Sequence, residues 1–308
     1  MHLRGIIPVL ATPFRADESM DEDSLRKEVD FCIERGAVAL CAPAFGSEYY
    51  KLSDQERLEV ARIVVSQGQR RVPVFVNVGT SSVRSTVEFC AQAESIGADG
   101  VMVAAPRAVP LGASELKGFF ERVCRAVRLP VMLQDADFTG SGLAVDFFVD
   151  LAGRCPNLQF VKLENALPGA KCKEIIRLSS GRVSVFYGWA GLRLFDGLAH
   201  GVCGFMPGAA LVDVYATIMR LHDSGQIENA KSLFYRLLPF LVFALEHLEL
   251  FVWMEKRVLM KRGVIDSDRL REPTLHLDDA YQEQAEELVN LVLRLAEQLP
   301  ASGNMMGG

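Results

Sequence analysis

The chain has 308 residues, half of them hydrophobic and 23% charged, with a formal net charge of -6. That composition is ordinary for a globular protein in water and leaves ample material for a large core. The mild acidity, with no basic stretch anywhere, argues against nucleic acid or an anionic membrane as partner.

The N-terminus, MHLRGIIPVLATPF, runs into an apolar strand without signal-peptide organisation, which predicts a cytoplasmic protein. In chain order the predicted strands are GIIPVLATPF from Gly5, AVALCAPAF from Ala37, VPVFVNVG from Val72 and GVMVAAP from Gly100. PVMLQDA from Pro130, LQFVKLEN from Leu158, SVFYGWA from Ser184 and GVCGFMPGAA from Gly201 follow. These runs are nearly continuous in apolar character, as parallel strands covered on both faces require. Amphipathic segments of helical length separate them. RGAVAL at Arg35, IGADGVMV at Ile96 and HGVCGFM at His200 each place Gly where a helix ends and a strand begins. LSDQER from Leu52 puts Ser53 at a helix N-cap with Glu56 three residues on, a capping box. Eight βα units in succession predict a (β/α)8 TIM barrel over residues 1–225. A doubly wound sheet would need a Gly-rich phosphate loop after the first strand, and LATPF has none.

Beyond Leu211 the strand signals stop, and residues 226–300 read as a C-terminal helical extension packed on the barrel. Within it, LPFLVFALEHLELFVWM is interrupted by Glu246, His247 and Glu249, so it does not read as a membrane span. Residues 301–308, ASGNMMGG, are expected to be a disordered tail. Seven scattered cysteines, odd in number and without a CxxC spacing, read as free buried thiols in a reducing compartment. The five histidines are dispersed with no HxH or HExxH spacing, so no metal site and no other cofactor is expected.

The strand LQFVKLEN carries a lysine in an otherwise buried run, and a Lys head group is rarely buried unless something pairs with it or uses it. Lys162 and Glu164 are two residues apart and so point to one side of an extended chain. Lys162 falls near the C-terminal end of the sixth strand, the barrel face where chemistry resides. A neutral amine there attacks a ketone to give a protonated Schiff base, an electron sink that acidifies the neighbouring carbon. Glu164 would then move the protons. A structural Lys–Glu pair remains an open alternative on these residues alone.

Taken together, GIIPVLATPF, GSEYYKLSDQER, PVMLQDADFTG and FVKLENALPG resemble the dihydrodipicolinate synthase / N-acetylneuraminate lyase family, over nearly the whole chain. The late MKRGVIDSDRLREP is similar to that family's C-terminal Arg-Pro segment. The resemblance implies a class I, Schiff-base-forming lyase acting on pyruvate or another 2-keto acid, with Lys162 as the Schiff-base lysine. It also implies a homo-oligomer, tetramer or dimer. Three departures stand out. Gln134, in LQDADFTGSG, occupies the place of the usual strand-five tyrosine. AFGSEYY lacks the usual threonine pair, and AAPRAVP has Arg107 and Ala108 where a relay tyrosine is usual. These argue against synthase and sialic-acid lyase activity. L-2-keto-3-deoxyarabonate dehydratase-like members look similar at Ser47-Glu48, Gln134-Asp135-Ala136 and Lys162-Leu163-Glu164. With the tyrosine relay gone, Glu164 is the carboxylate left to act as base and then as acid.

The loop residues Gly46 and Ser47 are expected to grip the substrate carboxylate, partly through backbone N–H groups. Gln134 is a candidate for orienting a substrate hydroxyl, against the alternative of a satisfied core amide. Asp135 alternates to the helix-facing side and reads as structural. Gly188 and Trp189, at the end of strand seven, are expected along the substrate tail, with Trp189 either an apolar wall or simple filling. At the end of strand eight a backbone carbonyl around Phe205 is expected to face the site. Tyr49 and Tyr50 are weighed between a relay hydroxyl and subunit packing. The expected activity is dehydration of a short 2-keto-3-deoxy sugar acid. A pyruvate-dependent aldolase, a synthase-like condensation and a non-catalytic keto-acid binder are the alternatives.

Overall fold

Eight short parallel strands curl around a common axis in the computed structural model, which describes residues 1–106, 110–137 and 140–299. They are β1 (Gly5–Ile6), β2 (Leu40–Cys41), β3 (Val74–Asn77), β4 (Gly100–Ala104), β5 (Val131–Asp135), β6 (Leu158–Leu163), β7 (Ser184–Tyr187) and β8 (Gly204–Phe205). The pairing order is β1-β8-β7-β6-β5-β4-β3-β2. Single parallel bridges Ile6–Ala37 and Val9–Cys41 close the ring between its first two strands. The expected TIM barrel is therefore present. Its strands are shorter than their apolar runs. Pro8 and Pro43 have no N–H to give a ladder, so the first two runs continue as extended chain with isolated bridges.

Helices alternate with the strands: α1 (Glu22–Glu34), α2 (Asp54–Gly68), α3 (Val83–Ser95), α4 (Ala113–Ala126), α5 (Val145–Arg154), α6 (Gly169–Leu178), α7 (Leu194–Ala199) and α8 (Val212–Asp223). Three more follow: α9 (Ile227–Ala244), α10 (Leu248–Lys261) and α11 (Asp279–Glu297). The capping box forms as expected, Glu56 N–H donating to Ser53 Oγ at 3.2 Å and Ser53 N–H to Glu56 Oε2 at 2.8 Å. Glu56 also receives both guanidinium arms of Arg271, at 2.7 and 3.0 Å, which hold its carboxyl down to about 2. No helix among the described residues is long and apolar enough to cross a membrane. Arg107, Ala108 and the tail 301–308 lie outside the described residues.

Strand alternation explains why the runs look continuously apolar. Ile7, Cys41, Phe75, Met102, Met132 and Phe160 fill the barrel interior, and their neighbours in sequence pack outward against the helices. Phe160 meets Phe75 edge-on at 5.4 Å and Phe186 at 6.1 Å, forming an aromatic floor one layer below Lys162. All seven cysteines are free and six are buried; burial pushes the Cys41 thiol up to about 12, which makes it an inert filler.

Buried ionisable groups dock α10 onto the barrel mouth. Lys256 is fully buried, pairs with Glu48, donates to the Arg269 carbonyl at 2.9 Å and stands 4.4 Å from the centre of the Phe14 ring. Glu48 also accepts from Lys51 at 3.2 Å and from the Arg271 N–H at 3.1 Å. Glu255 accepts the Ala210 N–H at 2.9 Å, and Glu28 of α1 accepts the Ala11 N–H at 2.8 Å. Burial raises these two carboxyls to about 7 and about 8, so each can sit in the interior as a neutral acid. Removing one partner of a buried pair strands the other charge. Lys256→Met is therefore expected to cost about 3–5 kcal/mol in urea unfolding. Adding Glu48→Gln should return part of that loss, because it removes the stranded charge.

Candidate active site

β6 sets the geometry. Phe160 and Lys162 point into the barrel, Val161 and Leu163 point to the helices, and Glu164 returns to the inner side just past the strand. Lys162 and Glu164 are both buried, with Nζ and Oε1 3.2 Å apart. Both line a cavity of about 510 Å³ that also takes in Gly46 and Trp189. Its apolar wall comes from Val9, Phe45, Met206, Pro207, Leu248 and Phe251.

Glu164 is gripped on both oxygens. Oε1 accepts the Trp189 N–H at 3.0 Å, and Oε2 accepts Gln134 Nε2 at 2.6 Å. Gln134 pairs with Lys162 across the β5–β6 ladder, so its amide reaches the carboxylate from the neighbouring strand. The Trp189 amide is aimed by a backbone bend in which Trp189 and Ala190 both adopt left-handed φ, 49° and 50°. Two successive non-glycine residues in that region are uncommon and cost on the order of 1–3 kcal/mol each. Strain of this kind concentrates where a group must be held in place.

Several expected binding residues have other partners. Gln134 gives one amide N–H to Glu164 and is almost fully buried, with its second N–H and its oxygen not engaged by that bond. Ser47 is fully buried. Its hydroxyl donates to the Leu10 carbonyl and accepts the Ala44 N–H at 2.9 Å, while its own N–H donates to the Ala44 carbonyl at 2.9 Å. Thr12 adds a hydrogen bond to the Ser47 carbonyl at 2.7 Å, so Ser47 ties the loop to the extended chain after β1 instead of facing the cavity. The Phe205 carbonyl accepts the Ile7 N–H at 2.9 Å in the barrel ladder; its side chain points outward against Tyr187, 6.3 Å between ring centres, and Met206 takes the inward position. Asp135 also faces outward, where it accepts the Leu143 N–H at 3.2 Å and Lys171 at 3.0 Å. Tyr50 donates to Glu249, and Tyr49 packs edge-on with Phe45 at 5.2 Å.

Gly188 serves the carboxylate by having no side chain. A Cβ there would lie 2.0 Å from Glu164 Oε1. Gly188→Ala should displace Glu164 and lower turnover about 10²-fold, the scale on which a misplacement near 1 Å is felt. Trapping of a keto acid on Lys162 should survive, which mass spectrometry after borohydride reduction checks.

Glu246 and His247 also line the cavity, from the turn between α9 and α10. They are absent from the expected site. The signal was available: two polar residues side by side interrupt an apolar stretch, LVFALEHLELF, where one helix ends and the next begins. Among the described residues no group of three or more His, Cys, Asp or Glu is arranged to hold a metal ion.

This architecture defines a class I lyase. The chain belongs to the dihydrodipicolinate synthetase family, whose model matches residues 2–292. It is 27% identical over 296 residues to the L-2-keto-3-deoxyarabonate dehydratase of Azospirillum brasilense, covering 95% of this chain and 94% of that one. Over 164 residues, 53% of this chain and 54% of the other, it is 38% identical to the 4-hydroxy-tetrahydrodipicolinate synthase of Acidobacterium capsulatum. Among solved structures, the Escherichia coli prophage protein YagE in complex with pyruvate superposes with a TM-score of 0.84 at 26% identity. That match covers 95% of this chain and 98% of YagE.

Proposed function

We propose that the protein dehydrates a short 2-keto-3-deoxy sugar acid of the 2-keto-3-deoxyarabonate kind through a Schiff base on Lys162. The observation that carries this reading is the 3.2 Å contact between Lys162 Nζ and Glu164 Oε1 inside one cavity, with both Glu164 oxygens anchored. The neutral amine attacks the C2 ketone and water leaves, giving the iminium. Glu164 takes a C3 proton, and the C–H electron pair forms the enamine. The enamine then expels the C4 hydroxyl, which leaves as water with the proton that Glu164 returns. Hydrolysis frees the lysine and the product, so one water is lost overall. The similarity to an L-2-keto-3-deoxyarabonate dehydratase along almost the whole chain supports dehydration over carbon–carbon cleavage. In this proposal the Phe45–Gly46 end of the cavity receives the substrate carboxylate, and the protein works in the cytoplasm as a homo-oligomer.

The test is intact mass after borohydride reduction with pyruvate and with 2-keto-3-deoxypentonates, followed by product analysis. Adducts with both and loss of water from the pentonate support the proposal. Release of pyruvate from the pentonate would reassign the chain as an aldolase. No adduct with any keto acid would overturn the Schiff-base mechanism.

A further inference from the structure

Among the described residues, four ionisable side chains line the cavity, and two of them belong to the proposed chemistry. The other two, Glu246 and His247, stand together on the wall that α9 and α10 contribute. Among the described residues, neither the Glu246 carboxylate nor His247 Nε2 has a hydrogen-bond or ion-pair partner. His247 Nδ1 is committed, accepting the Glu249 N–H at 3.1 Å as the N-cap of α10. An acceptor at Nδ1 fixes the tautomer, so the neutral ring carries its proton on Nε2 and offers a donor. The cavity therefore carries, on two neighbouring residues at its exposed edge, one donor and one anionic acceptor beside an apolar lining.

We infer that Glu246 and His247 form a tail-recognition subsite selecting an uncharged, hydroxyl-bearing chain at the end of the keto acid remote from C2. The inference rests on the reading of Lys162 as the group that takes the keto end. A hydroxyl is the group that both accepts and donates, and so satisfies the two side chains together. A second carboxylate or a phosphate would instead meet the Glu246 charge at the exposed edge of the cavity and be repelled. Glu246 is thus a negative selector against dicarboxylic and phosphorylated keto acids, and His247 is the positive one.

Calorimetric binding of a 2-keto-3-deoxypentonate, pyruvate and 2-oxoglutarate to wild type and to Lys162→Ala tests this, each with His247→Leu, His247→Asn or Glu246→Gln added. Asn keeps an N-cap acceptor but lacks the reach of the imidazole. The expected result is that both His247 variants weaken the pentonate about tenfold, as for one lost hydrogen bond, and leave pyruvate within about twofold. Glu246→Gln should tighten 2-oxoglutarate about fivefold. The inference is overturned if pentonate and pyruvate weaken together, if Leu weakens the pentonate and Asn does not, or if the pentonate binds as before or not at all. Borohydride trapping on wild type reads the Lys162 chemistry separately. Its failure would leave the binding ratios in the Lys162→Ala background still reporting on the tail.

Discussion

Lys162→Ala should eliminate the borohydride-trapped adduct with every keto acid and lower turnover on the order of 10⁴-fold or more, the scale for loss of a covalent nucleophile. The effect is this large because, among the described residues, no second lysine lines the cavity. The variant should still fold. Glu164 keeps the Trp189 N–H at 3.0 Å and Gln134 at 2.6 Å, so its carboxylate is not left without partners. Near-ultraviolet circular dichroism matching wild type, with no adduct, is the expected pair of results. An adduct that persists in the variant would place the chemistry on another amine and detach Lys162 from the mechanism.

Glu164→Gln should separate the two halves of the reaction. Glutamine is of similar shape and can still accept the Trp189 N–H, but it cannot carry a proton between C3 and the leaving hydroxyl. Pyruvate should therefore still be trapped on Lys162, while dehydration falls about 10²–10⁴-fold, the usual worth of a general acid–base. Single-turnover kinetics can show this directly, because adduct should accumulate where wild type passes through it. Equal loss of trapping and turnover would mean that Glu164 serves chiefly to hold the lysine.

The barrel and the pair on β6 are legible in the sequence because each rests on a local periodicity. Eight apolar runs with Gly at the helix ends specify parallel strands. A two-residue spacing puts Lys162 and Glu164 on one side, whatever surrounds them. The losses come where a distant segment decides. Ser47 reads as a loop hydroxyl, and only the approach of Leu10 and Thr12 from the segment after β1 consumes it. Gln134 is inward as expected, but its partner lies 30 residues away on the next strand. Phe205 and Met206 differ by one step of parity, and the apolar sequence around them does not say which faces inward. Glu246 and His247 reach the cavity through the packing of α10, which no strand-counting argument addresses.

The pairing of Glu48 with Lys256 has a consequence for biosynthesis. The two residues are 208 positions apart in the chain. At about 5–20 residues per second a ribosome delivers the ammonium roughly 10–40 s after the carboxylate. Throughout that interval the loop after β2 lacks its buried partner, and the wall bearing Glu246 and His247 has not yet been made. The nascent chain thus makes the Lys162–Glu164 pair first and the cavity wall from α10 last.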